Sequence, residues 1–191
     1  MHKHNYHDWQ HHIERLDSDA RKEEMQPENT LLQSGLKAGD IFCDIGAGAG
    51  IFTFPAALIT GAKTYAVDVS EAAVDYLRSK AQTLGAEQVE VIKADGVVYP
   101  FEKDAIDFVA LVTVYHEIHE RPPFVESLKH MLKPGGRLMM IDFKADETPG
   151  GPPIAHRVSA NEAVADFKAG GFRHIETASL SDNFYRIVFE A

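Results

Sequence analysis

Cysteine is almost absent: Cys43 stands alone in 191 residues. That excludes a disulfide within the chain and any multi-cysteine metal or redox centre. Long hydrophobic runs are missing too, with no apolar stretch near the roughly 18 residues that suggest a membrane span. Basic residues are in short supply: 19 Lys and Arg face 29 Asp and Glu, for a formal net charge of −10. General nucleic-acid binding depends on clustered positive charge. It is therefore not expected here, although a local basic pocket is still allowed. The opening MHKHNYHDWQHHIE lacks the apolar core of a signal peptide. The expectation is a soluble, cytoplasmic chain that acts on a small molecule and has no membrane partner. Self-association into a homodimer is left open.

What the chain does have is alternating strand and helix signals within a length suited to one compact domain. Pro27 and Glu28 open a short helix that Gly35 closes. Strands are expected at Ile41 to Ile45, Lys63 to Val69, Val89 to Ala94, Ile106 to Val114 and Leu138 to Phe143. Helices are expected at Ile51 to Ile59, from Ser70 to Gly85, and from Pro122-Pro123 to the break at KPGGR. Ser159 and Glu162 have capping-box spacing and open a last helix that ends at Gly170-Gly171. Phe172 to Leu180 and Phe184 to Phe189 are joined by a link too short for a helical crossover, so they should pair as an antiparallel hairpin.

Repeated strand–helix units imply an α/β fold: a doubly wound, mostly parallel seven-stranded sheet with one antiparallel C-terminal strand. Residues 1–36 read as an appended helical cap segment and 37–191 as the ligand-binding domain. Five of the ten histidines fall in the cap, at His2, His4, His7, His11 and His12. Such a tract can bind transition metals, but it also reads as a plain terminus, and no metal site is assigned. Trp9, Ile13 and Leu16 have helical spacing, and Tyr6, Trp9 and His12 could fold over a ligand as a cover.

In open α/β sheets, ligands bind beyond the carboxyl ends of the strands, at the switch point. The stretch DIGAGAG, Asp44 to Gly50, follows the first strand. A dinucleotide fingerprint needs G-x-G-x-x-G; counting from Gly46 puts Ile51 where the third glycine belongs. No Gly-Lys-Ser/Thr follows, so a P-loop fails as well. Asp44 at the front suits a cation or N–H donors and is a poor neighbour for pyrophosphate. Asp68 ends the second strand, where a carboxylate can accept from ribose hydroxyls. Asp95 and Gly96 follow the third strand and could meet an adenine amino group. The ligand these residues imply has adenosine, a positively charged tail and no phosphate. Each also has a plainer use, in a tight turn or a helix start.

DIGAGAG, AVDVS, KADG and LKPGGRL, in this order and spacing, resemble the motif set of class I S-adenosylmethionine-dependent methyltransferases, over about residues 27–191. The branch it looks most like is that of small quinone-biosynthesis-type C-methyltransferases, in which a His-Glu pair often follows the fourth strand, as His116-Glu117 does here. The resemblance implies a Rossmann-like methyltransferase fold and S-adenosylmethionine as cofactor. Asp44, Gly46, Ala47, Gly48 and Gly50 would line its methionine end, Asp68 would hold the ribose with Val69 against the adenine, and Asp95 and Gly96 would stand at the adenine edge. Thr113 and Tyr115 would border the sulfonium and the acceptor. The implied activity is direct in-line methyl transfer to a small organic acceptor. The alternatives are a nicotinamide-dependent oxidoreductase and a non-catalytic S-adenosylmethionine-binding module.

A hydroxyl or carbon-acid acceptor needs a base. TVYHEIHE offers His116 as the base or acceptor-orienting group, with Tyr115 and Glu117 beside it. The spacing is not H-E-x-x-H, so the metalloprotease reading fails. His156 and Arg157, in the Pro- and Gly-rich stretch after the fifth strand, could meet an acidic substrate or stay solvated. Asp142 and Lys144 could face the pocket or pair with each other.

Overall fold

The computed structural model describes residues 13–96 and 99–191. The early histidines, Tyr6 and Trp9 lie outside them. After helical residues 13–16 come helix α1 (Asp19–Met25), α2 (Pro27–Gln33), strand β1 (Phe42–Ile45), α3 (Thr53–Thr60), β2 (Thr64–Asp68), α4 (Glu71–Leu84) and β3 (Val89–Lys93). Then follow β4 (Ile106–Val112), α5 (Arg121–Met131), β5 (Leu132–Phe143), α6 (Ala160–Ala169), β6 (Arg173–Ser179) and β7 (Phe184–Glu190).

All seven strands form one sheet in the order β3-β2-β1-β4-β5-β7-β6. Pairings are parallel from β3 to β5, and β7 runs antiparallel to both β5 and β6. The chain winds outward from β1 to β3, then returns to lay β4 on the other side of β1. The β1/β4 junction is therefore the switch point, where a ligand crevice is expected.

Local chemistry accounts for the helix ends. The Ser70 hydroxyl accepts from Ala73 N at the start of α4, and Gly85 closes that helix in the left-handed conformation. Ser159 and Glu162 form the reciprocal capping box of α6. Pro55 sits in the first turn of α3, where a missing N–H removes no helical hydrogen bond. One boundary differs from expectation. β5 begins at Leu132, so the KPGGR stretch lies within it: Leu132 pairs with Ile106, and regular pairing resumes only at Phe108 with Arg137. Glycine makes this irregularity possible. A Cβ on Gly136 would stand 2.8 Å from the Lys133 carbonyl oxygen.

Alternate strand residues face two cores, as the period of two requires. Phe42, Phe108, Ala110, Met139 and Ile141 pack with Met25, Leu31 and Phe52. Ile45, Val109, Leu111, Met140 and Ile187 pack with Phe124, Leu128 and Phe167 of α5 and α6. Met25, Leu31 and Leu36 are all buried, so the segment before β1 shares the core of the sheet. No helix among the described residues is long and apolar enough to cross a membrane.

Candidate active site

The bend after β1 folds over the tip of β2. The N–H groups of Gly46 and Ala47 both donate to the Val67 carbonyl, at 2.8 and 3.0 Å. Gly46 has a φ of 70°, and a Cβ there would come within 2.3 Å of Val114 Cγ2. Only glycine lets the bend meet the tip of β4. Gly48 has a φ of 53°, and its N–H donates to Asp68 Oδ2 at 2.9 Å. Asp68 Oδ1 accepts from Ser70 N at 2.8 Å. The Asp68 carboxylate thus ties the bend to the start of α4, and each oxygen keeps a lone pair for a further donor. Val69, next in sequence, leaves 63% of its surface exposed. Asp95 and Gly96 are exposed beyond β3.

Asp44 is almost fully buried. Its Oδ2 accepts from the Thr53 hydroxyl at 2.6 Å. Burial pushes its pKa up to about 7; the Thr53 bonds oppose that shift and the charge of Asp68 adds to it. Among the described residues the carboxylate has no positive partner of the kind a buried charge calls for.

The segment before α1 lies on this bend. Leu16 Cδ1 would be 3.1 Å from a Cβ at Gly48. Lys80 bridges Asp17 Oδ2 at 2.7 Å and the Ala49 carbonyl at 3.0 Å. Tyr76 also donates to Asp17, and Lys22 pairs with it. A cavity of about 440 Å³ opens beside the bend, between Asp17, Lys22, Ile51, Phe54 and Lys80. Gly50 of the bend lines it, but Asp44, Asp68, Thr113 and His116 do not.

The three residues expected to act on the acceptor have three different environments. Tyr115 is fully buried. Its hydroxyl donates to Asp166 Oδ2 at 2.8 Å, and its ring packs on Phe124 and Phe167. Burial and the Asp166 bond push its pKa far above the ordinary phenol value. The sequence expectation put Tyr115 beside the acceptor; the chain leaving β4 turns its ring into the core. Glu117 is exposed, with Oε1 3.8 Å from His116 Nε2, beyond a hydrogen bond.

His116 sits between these extremes. Its Nδ1 lies 2.7 Å from Asp142 Oδ1, and its backbone N–H donates to Asp142 Oδ2 at 3.1 Å. Asp142 is buried and also accepts from Phe143 N. Asp142 therefore pairs with His116 and not with Lys144. Burial works against the charged imidazole, but the hydrogen bond and charge of Asp142, with the charge of Glu117, outweigh it and raise the His116 pKa. Phe143 meets the imidazole edge-on, with ring centres 5.5 Å apart.

Thr113 follows β4 in the left-handed region, with a φ of 54°. It is held by a bond from its N–H to the Ile141 carbonyl and by Arg21, which donates to its hydroxyl at 2.9 Å. Arg157 clasps the segment after β5. It donates to the carbonyls of Pro152, Lys144, Asp146 and Gly150 and to the Thr148 hydroxyl. This makes Arg157 a loop-organising residue, and neither the solvated nor the substrate-facing expectation describes it. Sequence reasoning missed Arg21, the Asp17–Lys80 latch and the Asp142 contact to His116. Only the occurrence of Asp142 at the end of a buried strand gave any signal.

A doubly wound sheet with a glycine bend and carboxylates at its switch point defines the class of α/β proteins that bind a nucleoside cofactor at their strand tips. Residues 36–191 match the family model of a methyltransferase domain. The crystal structure of a SAM-dependent methyltransferase from Aquifex aeolicus superposes with a TM-score of 0.90 at 31% identity, over 94% of this chain and 97% of that one. The chain belongs to the S-adenosylmethionine-dependent methyltransferases.

Among curated relatives, a demethylmenaquinone methyltransferase of Clavibacter sepedonicus is 33% identical over 113 residues, 59% of this chain and 44% of the relative. A ubiquinone/menaquinone biosynthesis C-methyltransferase of Marinomonas sp. is 26% identical over 123 residues, 63% of this chain and 49% of the relative. The chain spans about half the length of the curated relatives it matches. Neither a nicotinamide-dependent oxidoreductase nor a non-catalytic binding module finds support in these comparisons.

Proposed function

We propose that this protein transfers a methyl group from S-adenosylmethionine to a small organic acceptor. The residues at the switch point suit that cofactor. Asp44 is a buried carboxylate with no cationic partner among the described residues, which the ammonium of a methionine tail would complete. Asp68 has free lone pairs for ribose hydroxyls, and exposed Val69 offers an apolar face for adenine. Gly46, Ala47, Gly48 and Gly50 let the backbone approach the methionine end, with Thr113 on the sulfonium side. Asp95 and Gly96 would stand at the adenine edge. Among the described residues no cluster of cations marks a pyrophosphate site beside the bend.

S-adenosylmethionine supplies a sulfonium methyl that needs no further activation. The chain's own task is to orient the acceptor behind that methyl and exclude water. The observation that carries the catalytic part is the His116–Asp142 pair. With Nδ1–H donated to Asp142, the imidazole presents a bare Nε2. Nε2 would take the proton that the acceptor gives up in a transfer whose other product is S-adenosylhomocysteine, and Asp142 would stabilise the imidazolium. The proton then passes to solvent. Glu117, close to Nε2 and exposed, favours the charged ring. The reading extends to a cytoplasmic enzyme of small molecules, and the net charge of −10 supports the absence of general nucleic-acid binding.

Calorimetry with S-adenosylmethionine and S-adenosylhomocysteine tests the cofactor part. The parent chain should bind both, and Asp68→Ala should lose about 1–3 kcal/mol of affinity. Equal affinity in the two proteins would remove Asp68 from the ribose role.

A further inference from the structure

The sheet order β1-β4-β5-β7 puts Thr113 at the tip of β4 and the start of β7 two strands further from β2. Arg21 of α1 reaches across both. One of its Nη groups donates to Thr113 Oγ1 at 2.9 Å, and the guanidinium stands 5.8 Å from the centre of the Phe184 ring. Its Nε is buried without a hydrogen-bond partner. Among the described residues no carboxylate forms an ion pair with Arg21. Glu24, one turn along the helix, is occupied elsewhere: its Oε1 accepts from Ser181 and Asn183 in the β6–β7 turn.

Burial pushes the Arg21 pKa down to about 10; Arg15 adds to that shift and Glu24 opposes it. The group is still charged at neutral pH. A part-buried cation that forms no ion pair among the described residues, with Glu24 acting on it only at a distance, is costly unless something completes it. Phe184 lies 4.8 Å from Phe143, and Phe143 lies 5.5 Å from His116. A chain of aromatic contacts thus links the guanidinium to the imidazole that would take the acceptor's proton.

We propose that Arg21 is a specificity-determining residue, selecting a methyl acceptor that joins a carboxylate to an apolar body lying along Phe143. This deepens the methyltransferase reading and rests on it for the word acceptor. The cofactor carries a carboxylate of its own, so the chemistry has two sources. Arg21 meets Thr113 on the sulfonium side, but its contact with Phe184, which leads through Phe143 to His116, favours the acceptor.

Two probes separate the sources. Binding of 4-hydroxybenzoate and of its neutral amide is measured on the full chain, with and without saturating S-adenosylhomocysteine. Affinity for S-adenosylhomocysteine itself is measured alongside. The parent should prefer the acid by at least about tenfold, as a charge-assisted pair implies. Arg21→Gln should abolish the preference and leave S-adenosylhomocysteine affinity within about twofold. Arg21→Lys, which keeps the charge and loses the fork, should retain part of the preference, and thermal unfolding checks that both variants fold. Equal binding of acid and amide by the parent overturns the proposal. So does a tenfold loss of S-adenosylhomocysteine affinity in Arg21→Gln, which would assign the guanidinium to the cofactor's carboxylate. If the parent ignores S-adenosylhomocysteine yet still prefers the acid through Arg21, the anion site stands and the methyltransferase reading falls.

Discussion

The tips of β1 and β2 carry Asp44 and Asp68, whereas those of β4, β5 and β7 are attended by His116, Arg21 and Arg157. The dividing line is β4, where Gly46 touches Val114. On the acidic side, burial drives Asp44 toward its neutral form, with a pKa near 7. On the basic side, burial lowers the pKa of Arg21, to about 10. Each half holds a charge that its surroundings oppose, and each would be relieved by a ligand of the opposite sign. One sheet edge can in this way orient two ligands, a cationic donor beside the carboxylates and an anionic acceptor beside the guanidinium. Neither half needs contact with the other beyond the bend at Gly46.

The comparison breaks most sharply at His116. His116→Gln should lower methyl transfer, followed with labelled S-adenosylmethionine, by about 10²–10⁴-fold while S-adenosylhomocysteine affinity holds. A parallel loss of that affinity would move His116 into the acidic half. Because Asp142 raises the His116 pKa, Asp142→Asn should lower it. An NMR titration of the imidazole would then show its midpoint moving to lower pH, and the acid limb of the rate profile should follow.

A smaller effect sharpens the acidic half. A cation binds Asp44 only as the carboxylate, so affinity is lost as pH falls through the raised pKa near 7. S-adenosylhomocysteine affinity should drop by about tenfold from pH 8 to pH 6, and Asp44→Asn should flatten that slope at a lower affinity. Without ligand the sign reverses. A carboxyl whose folded pKa exceeds its unfolded value loses stability as pH rises between the two, so Asp44→Asn should raise the Tm at pH 8 and leave it unchanged near pH 4.

The smallest expected effect concerns the loop over the basic half. Arg157→Ala removes the clasp on residues 144–152. It should cost about 1–2 kcal/mol, a Tm decrease of a few degrees, with faster hydrogen exchange confined to that loop. Unchanged exchange there would deny Arg157 the role.

Most of the sheet could be read along the chain, because period-two burial, glycine caps and the Ser159–Glu162 box are local signals. The start of β5 could not, since its pairing depends on a bulge set by Ile106 and Phe108 across the ladder. The glycine bend and its two carboxylates were legible from their places at the ends of the first two strands. The basic half was not. His116 meets Asp142 across 26 positions and Arg21 meets Thr113 across 92. Tyr115 shows the limit in one residue: its neighbours in sequence point to chemistry, and only the turn after β4 reveals that its ring belongs to the core.

The Lys80 bridge has a practical corollary for anyone trimming this protein. A clone started at residue 36, where the family match begins, would retain every strand and discard Leu16, Asp17 and Arg21 together. Lys80 would still grip the Ala49 carbonyl but would have nothing left to pull against. Ala191, by contrast, docks on Gly135 and Gly136 at the start of β5, the end of the sheet opposite the strand tips.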